Sequence, residues 1–177
     1  MPIAPAALRT VLKSQYHAAL AMLGEAIQRC PDEVWSSSEH KNAFWQIVYH
    51  TLFFADAYLQ TDKEAFHPWE HHQGGVQHPD GIAGPADPNS SLPLIPKPYT
   101  KAQVLEYWTF CDQMLDDAVD KLDLESAQSG FPRYPISKLE HQLVNLRHIQ
   151  HHAAQLADRL RSAADIGIKW VGSRPSS

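Results

Sequence analysis

Cysteine is nearly absent: the 177 residues hold two, Cys30 and Cys111, far apart and outside any CxxC pair. That excludes a disulfide-stapled scaffold and a thiolate zinc module. In helix-like surroundings both read as buried small hydrophobes, with a disulfide or a reactive thiol as the lesser alternative. Long apolar runs are missing as well. Nothing approaches the roughly 18 residues a membrane helix needs, so no membrane partner is expected. The stretch MPIAPAALRT lacks a basic region followed by an apolar core, so no signal peptide is expected and the expected compartment is the cytoplasm. Positive charge is short too, with 15 Lys and Arg against 20 Asp and Glu and a formal net charge of −5. Phosphate backbones require clustered cations, so nucleic acid is not expected as a partner.

Several catalytic signatures are also missing. HExxH, a P-loop, GxGxxG and a GxSxG elbow do not occur. Di-iron bundles place Glu-x-x-His on two helices, and no pair of predicted helices carries it. No run alternates with strand period for long enough to matter.

What is present is an ordinary globular composition, 44% hydrophobic and 20% charged, at a length that suits one domain. Four amphipathic segments carry it. The first runs from about Pro5 to Arg29, with Leu8, Val11, Leu12, Ala19, Leu20, Leu23 and Ile27 at helical spacing. The second, about Asn42 to Gln60, is apolar around most of its circumference and reads as buried. The third runs from Thr100 to about Leu122 and the fourth from Ser137 to about Ala164. Each opens on a capping box, Thr100 with Gln103 and Ser137 with Glu140. The expected fold is an all-α four-helix bundle occupying residues 1–164, followed by a frayed tail, 165–177, whose Trp170 could dock on a neighbour. A Pro/Gly-rich stretch, Thr61 to Tyr99, is long enough to be a crossover between parallel second and third helices.

Eleven histidines are the other surplus. In NLRHIQHHAAQL, His148 and His152 lie roughly 40° apart and one turn along the axis, so both imidazoles share a face. His151 points away. His141, Asn145, Gln155 and Arg159 continue the stripe, and Leu139, Leu143, Leu146, Ile149, Ala153, Leu156 and Leu160 form the expected apolar face. Taken alone HxxxH is a weak motif, more often a solvated polar face. The second helix strengthens it with His50, in QIVYHTLFF, among Ile47, Phe53 and Phe54. Three neutral nitrogens from two helices make a His₃ site with one position open. A rival cluster sits in the long loop, His67, His71, His72 and His78 with Glu70. There the ordering cost is greater, and Phe66 and Trp69 suit a lid better than a separate site.

These segments resemble the DinB/YfiT-like putative metalloenzymes. WQIVYHTLFFADAYL is similar to the family's second-helix motif, and RHIQHHAAQL to its last-helix motif, with Ala154 where many members carry Gly. The resemblance covers nearly the whole chain. It implies up-down-down-up topology, a divalent ion on His50, His148 and His152, and Gln155 as the family's glutamine. Zn²⁺ or Ni²⁺ suits all-imidazole ligation. By the same resemblance a small-molecule substrate is expected, with a low-molecular-weight thiol as possible co-substrate in a transferase or hydrolase reaction. The rival from another class is a non-catalytic metal-binding or dimerisation bundle. Polar groups facing the metal from the first and third helices would separate the two, and Tyr16, His17, Tyr107 and Asp112 are the candidates. A homodimer is expected from the apolar excess of the second helix: Trp45, Tyr49, Leu52, Phe53, Phe54 and Tyr58.

Overall fold

A computed structural model describes residues 4–78 and 97–174. Five helices form, in the order α1 (Pro5–Arg29), α2 (Asp32–Trp35), α3 (Phe44–Tyr58), α4 (Lys101–Lys121) and α5 (Lys138–Ala164). Among the described residues there is no strand. The short α2 has no counterpart in the sequence reading, being one turn between proline and serine. The middle of the expected crossover, 79–96, lies outside the described residues.

The helix starts follow their local chemistry. Pro5 opens α1, where its missing N–H removes no helical bond. Thr100 and Gln103 close the reciprocal box on α4, Gln103 N–H to Thr100 Oγ1 at 3.2 Å and Thr100 N–H to Gln103 Oε1 at 3.0 Å. On α5 the Ser137 hydroxyl accepts from Glu140 N–H at 3.2 Å.

α1 packs against α4 and α5, and α3 packs against the same two. Tyr16, Leu20 and Leu23 from α1, Ile47, Tyr49 and Leu52 from α3, Val104, Tyr107 and Leu115 from α4, and Ile149, Leu156 and Leu160 from α5 share one core. Both cysteines are free and buried, and burial pushes the Cys30 thiol up to about 12.

Three expectations change. First, the buried face of α5 is not the apolar stripe throughout. Leu143 is 52% exposed, while Lys138, His141, Gln142 and Asn145 are buried. The polar face is held because the end of α3 presents carbonyls there. Asn145 Nδ2 donates to Ala55 O at 3.2 Å and Gln142 Nε2 to Tyr58 O at 3.0 Å. Lys138 Nζ reaches Thr61 O at 2.6 Å and also the Ser129 carbonyl. The last carbonyls of a helix have no intrahelical partner, and α5 supplies one from its side chains.

Second, the apolar excess of α3 is taken up within the chain. Trp45, Tyr49, Leu52, Phe53 and Tyr58 are all buried. Tyr99 stacks on Tyr49 at 4.5 Å, and Trp69 is buried flat against Tyr107 at 4.7 Å. Third, the C-terminal residues through 174 lie along α1 rather than fraying. Ile166, Ile168 and Val171 pack on the core, Gln15 Nε2 donates to Gly172 O at 3.0 Å, and Arg174 pairs with Asp116 at 2.9 Å. Trp170 remains 75% exposed.

Candidate metal centre

α3 and α5 bring His50, His148 and His152 together. One ring nitrogen from each lies within 4.8 Å of the other two, and the three can hold a metal ion. His50 Nε2 and His148 Nε2 are 2.9 Å apart. Tetrahedral ligation at about 2.0–2.1 Å per bond asks for nitrogens roughly 3.3 Å apart, so a small opening of the two rings is enough. All three residues are half-buried, and Phe54 stands over the group with its ring 5.0 Å from that of His50 and 5.8 Å from that of His148.

Two of the rings are aimed by their other nitrogen. His50 Nδ1 lies 2.6 Å from the Gln77 carbonyl, which accepts from a protonated Nδ1 and so favours the neutral tautomer that turns an Nε2 lone pair toward the cluster. His152 Nδ1 lies 3.0 Å from Gln155 Oε1 and is oriented in the same way. His148 has no such partner for Nδ1, which is buried without one. Its environment keeps it neutral. Burial first, then the neighbouring imidazoles, push His148 down to about 3, and burial lowers His152 as well. Neutral imidazoles are what a cation needs.

A family model described as the DinB superfamily matches residues 15–156 of this chain, a span that includes all three histidines. The chain belongs to the DinB superfamily. No curated protein and no solved structure matches it.

In this DinB-superfamily chain the remaining sequence candidates fall elsewhere. His151 is exposed and points outward, as its helical angle implies. His141 is shut among Tyr58, Phe131 and Tyr134, with both ring nitrogens unpartnered and its pKa pushed down to about 4 by burial and by Lys138. Asn145 serves the α3 carbonyl, and Arg159 donates to Asn42 O at 2.7 Å. The four candidates on α1 and α4 do not face the cluster. His17 bridges Asp112 at 2.8 Å and Asp116 at 3.0 Å, Tyr16 donates to Gln142 Oε1 at 2.8 Å, and Tyr107 donates to Asp56 Oδ2 at 2.9 Å.

The loop histidines divide. His72 is drawn in, its Nδ1 hydrogen-bonded with the Tyr49 hydroxyl at 2.6 Å, and His78 sits beside Phe54 at 6.2 Å. His71 gathers with Glu70 and Glu106 in a second group with suitable spacing, but all three are exposed. Phe66 packs on Phe53 and Trp69 on Tyr99 and Tyr107, so neither ring touches the cluster, and the described part of the loop reaches it through the Gln77 carbonyl. Gln77 was not legible as a site residue, because a backbone acceptor leaves no trace in side-chain pattern.

Proposed function

We propose that this protein is a metal-dependent enzyme whose divalent ion is held by His50, His148 and His152. The observation that supports the reading most is the double aiming of His50 and His152 through Gln77 and Gln155. Polar atoms behind a ligand fix its tautomer and orientation, and an incidental histidine cluster has no need of them. An all-nitrogen set suits Zn²⁺ or Ni²⁺. When bound, the ion supplies a Lewis acid that lowers the pKa of a water or thiol. The chain itself holds His148 and His152 neutral by burial, screens one side of the cluster with Phe54, and leaves the fourth direction for a small-molecule substrate. A low-molecular-weight thiol fits that role by family resemblance, in a transferase or hydrolase reaction.

The finer architecture belongs to the same reading: one bundle domain, 1–164, of up-down-down-up topology, with 165–177 as a tail. Arg9 reaching Leu122 O and Lys101 reaching Cys30 O support opposed α1 and α4. Tyr16 with Gln142 and Met22 with Gln150 support aligned α1 and α5. His50 with His148 and Ala55 with Asn145 support opposed α3 and α5. Trp45 beside Tyr99, and Leu59 and Gln60 beside Met114 and Ala118, support aligned α3 and α4 and hence a crossover between them.

A second reading, a metal-binding or dimerising bundle without catalysis, draws on a specific observation. Tyr16, His17, Tyr107 and Asp112 all bond elsewhere, so none of these four candidates attends the cluster.

Metal analysis of purified chain should find about one divalent ion, lost in His50→Ala as completely as in His148→Ala or His152→Ala. His71→Ala with His72→Ala should retain it, and loss in that pair with retention in His50→Ala would place the ion in the loop. A thiol-conjugation screen on the loaded protein then separates enzyme from binding protein.

A further inference from the structure

Beside the histidine cluster lies a cavity of about 340 Å³. Small molecules are commonly seated in pockets of roughly 300–1,000 Å³ with apolar walls and a few polar groups. Rings of Phe54 and Tyr58 on α3, Phe66 from the segment after it, and Phe131 before α5 form the walls here. Among the described residues no carboxylate lines the cavity, whereas two cations do, Lys63 and Arg133. Neither makes an ion pair with a carboxylate among the described residues. That is notable in a chain of net charge −5.

Lys63 N–H donates to the Gly130 carbonyl at 3.1 Å, which ties the backbone of Lys63 to the segment bearing Arg133. Phe54 and Gln77, which also line the cavity, touch His50. The apolar cavity thus borders the metal centre and carries two cations in its lining. An apolar molecule without an anionic group would leave both cations unused, and a small polar one would give up its own hydration against rings that cannot replace it.

We propose that this cavity binds a small amphipathic anion, an aromatic or branched aliphatic body bearing one carboxylate. The carboxylate sits at Lys63 and Arg133, the body lies along Tyr58 and Phe54, and the end remote from the carboxylate faces the histidine cluster. That such an acid is the substrate rests on the metal reading above; that it binds does not.

The test is isothermal titration of the full chain with 4-phenylbutyrate and with its uncharged amide, at low salt and pH 8. The acid should bind about tenfold tighter than the amide. The paired surface change Lys63→Gln with Arg133→Gln should erase that preference and leave the amide's affinity unchanged. Ala57→Met, which fills the cavity from α3, should weaken both ligands, with circular dichroism showing each variant folded. Equal affinity of acid and amide in the parent protein overturns the proposal, as does a preference that survives removal of both cations. His152→Ala, whose ring touches none of the cavity walls, should lose metal and bind the acid as the parent does. Metal loading without acid binding sinks the cavity proposal alone, and acid binding without metal loading sinks the metal reading alone.

Discussion

At the residue scale, two buried groups oppose each other across the pH range. His141 is fully buried and is held near 4, below an unperturbed value of about 6.5. The unfolded chain therefore takes up a proton that the folded chain refuses. Stability falls as pH drops through about 6.5 toward 4 and levels off below, a loss on the order of 3 kcal/mol. Asp56 behaves in the opposite sense. Burial raises it to about 6 despite hydrogen bonds from Tyr107 and Gln60, so its stability contribution is lost as pH rises through about 4 to 6. Asp56→Asn should accordingly stabilise the protein above pH 6 and lose that advantage below pH 4, read by urea denaturation at both values. His141→Leu removes two unpartnered buried nitrogens, and should gain about 1–2 kcal/mol at pH 7. It should leave metal loading unchanged, since the ring touches Tyr58, Phe131 and Tyr134 and no ligand. A loss of metal in that variant would show His141 acting on the centre after all.

At the element scale, close approaches decide tolerance. α1 and α4 meet at Gly24, where a Cβ would stand 2.8 Å from the Trp108 ring, whose indole nitrogen also donates to Leu20 O at 2.8 Å. That bond keeps the ring from yielding. Gly24→Ala should cost about 1–3 kcal/mol by overpacking, against the small gain alanine normally brings to a helix interior. Thermal melts of the variant check this, and an unchanged or raised midpoint would mean the crossing is looser than the distances imply. Gly130 is constrained twice, by a φ of 82° and by Thr61 O, 2.6 Å from where a Cβ would lie. It holds the strap before α5 against the segment that follows α3, where Lys63 N–H donates to its carbonyl.

At the scale of the whole molecule, metal release with acid integrates the site. Each ligand must be neutral to donate, so well below the imidazole pKa values affinity should fall by up to about three decades per pH unit. Because burial lowers His148 and His152, the midpoint should lie below about 6.5. A shallow one-proton profile would mean fewer than three histidine ligands. Neither Asp56 nor Asp112 stands ready to replace one, since each is bonded across to another helix. Association is a separate question. The homodimer expected from the apolar excess of α3 finds most of those rings covered within the chain, so we propose that it uses exposed side chains such as Leu143 and Val11. Light scattering at micromolar concentration tests it, and a monomeric mass removes it. No described helix is long and apolar enough to cross a membrane.

Helical periodicity, two capping signals and the i, i+4 spacing of His148 and His152 were all readable along the chain, because each depends on residues a few positions apart. The long helices and the shared face of that histidine pair follow from such local rules, and the matching DinB model spans the same motifs. Other features depend on partners remote in sequence. Leu143 looked like core and is exposed, because the carbonyls ending α3 drew Gln142 and Asn145 inward instead. Tyr16, His17, Tyr107 and Asp112 could not be sorted by periodicity, which tells a face from its opposite but not which helix that face meets. Gln77 entered the site through its carbonyl, which every residue type offers. The convergence of His50 with the α5 pair, the covering of α3 and the meeting of Lys63 and Arg133 in one cavity lining are long-range packing. Tertiary structure alone decided them, since only there do segments separated in sequence compete for the same face.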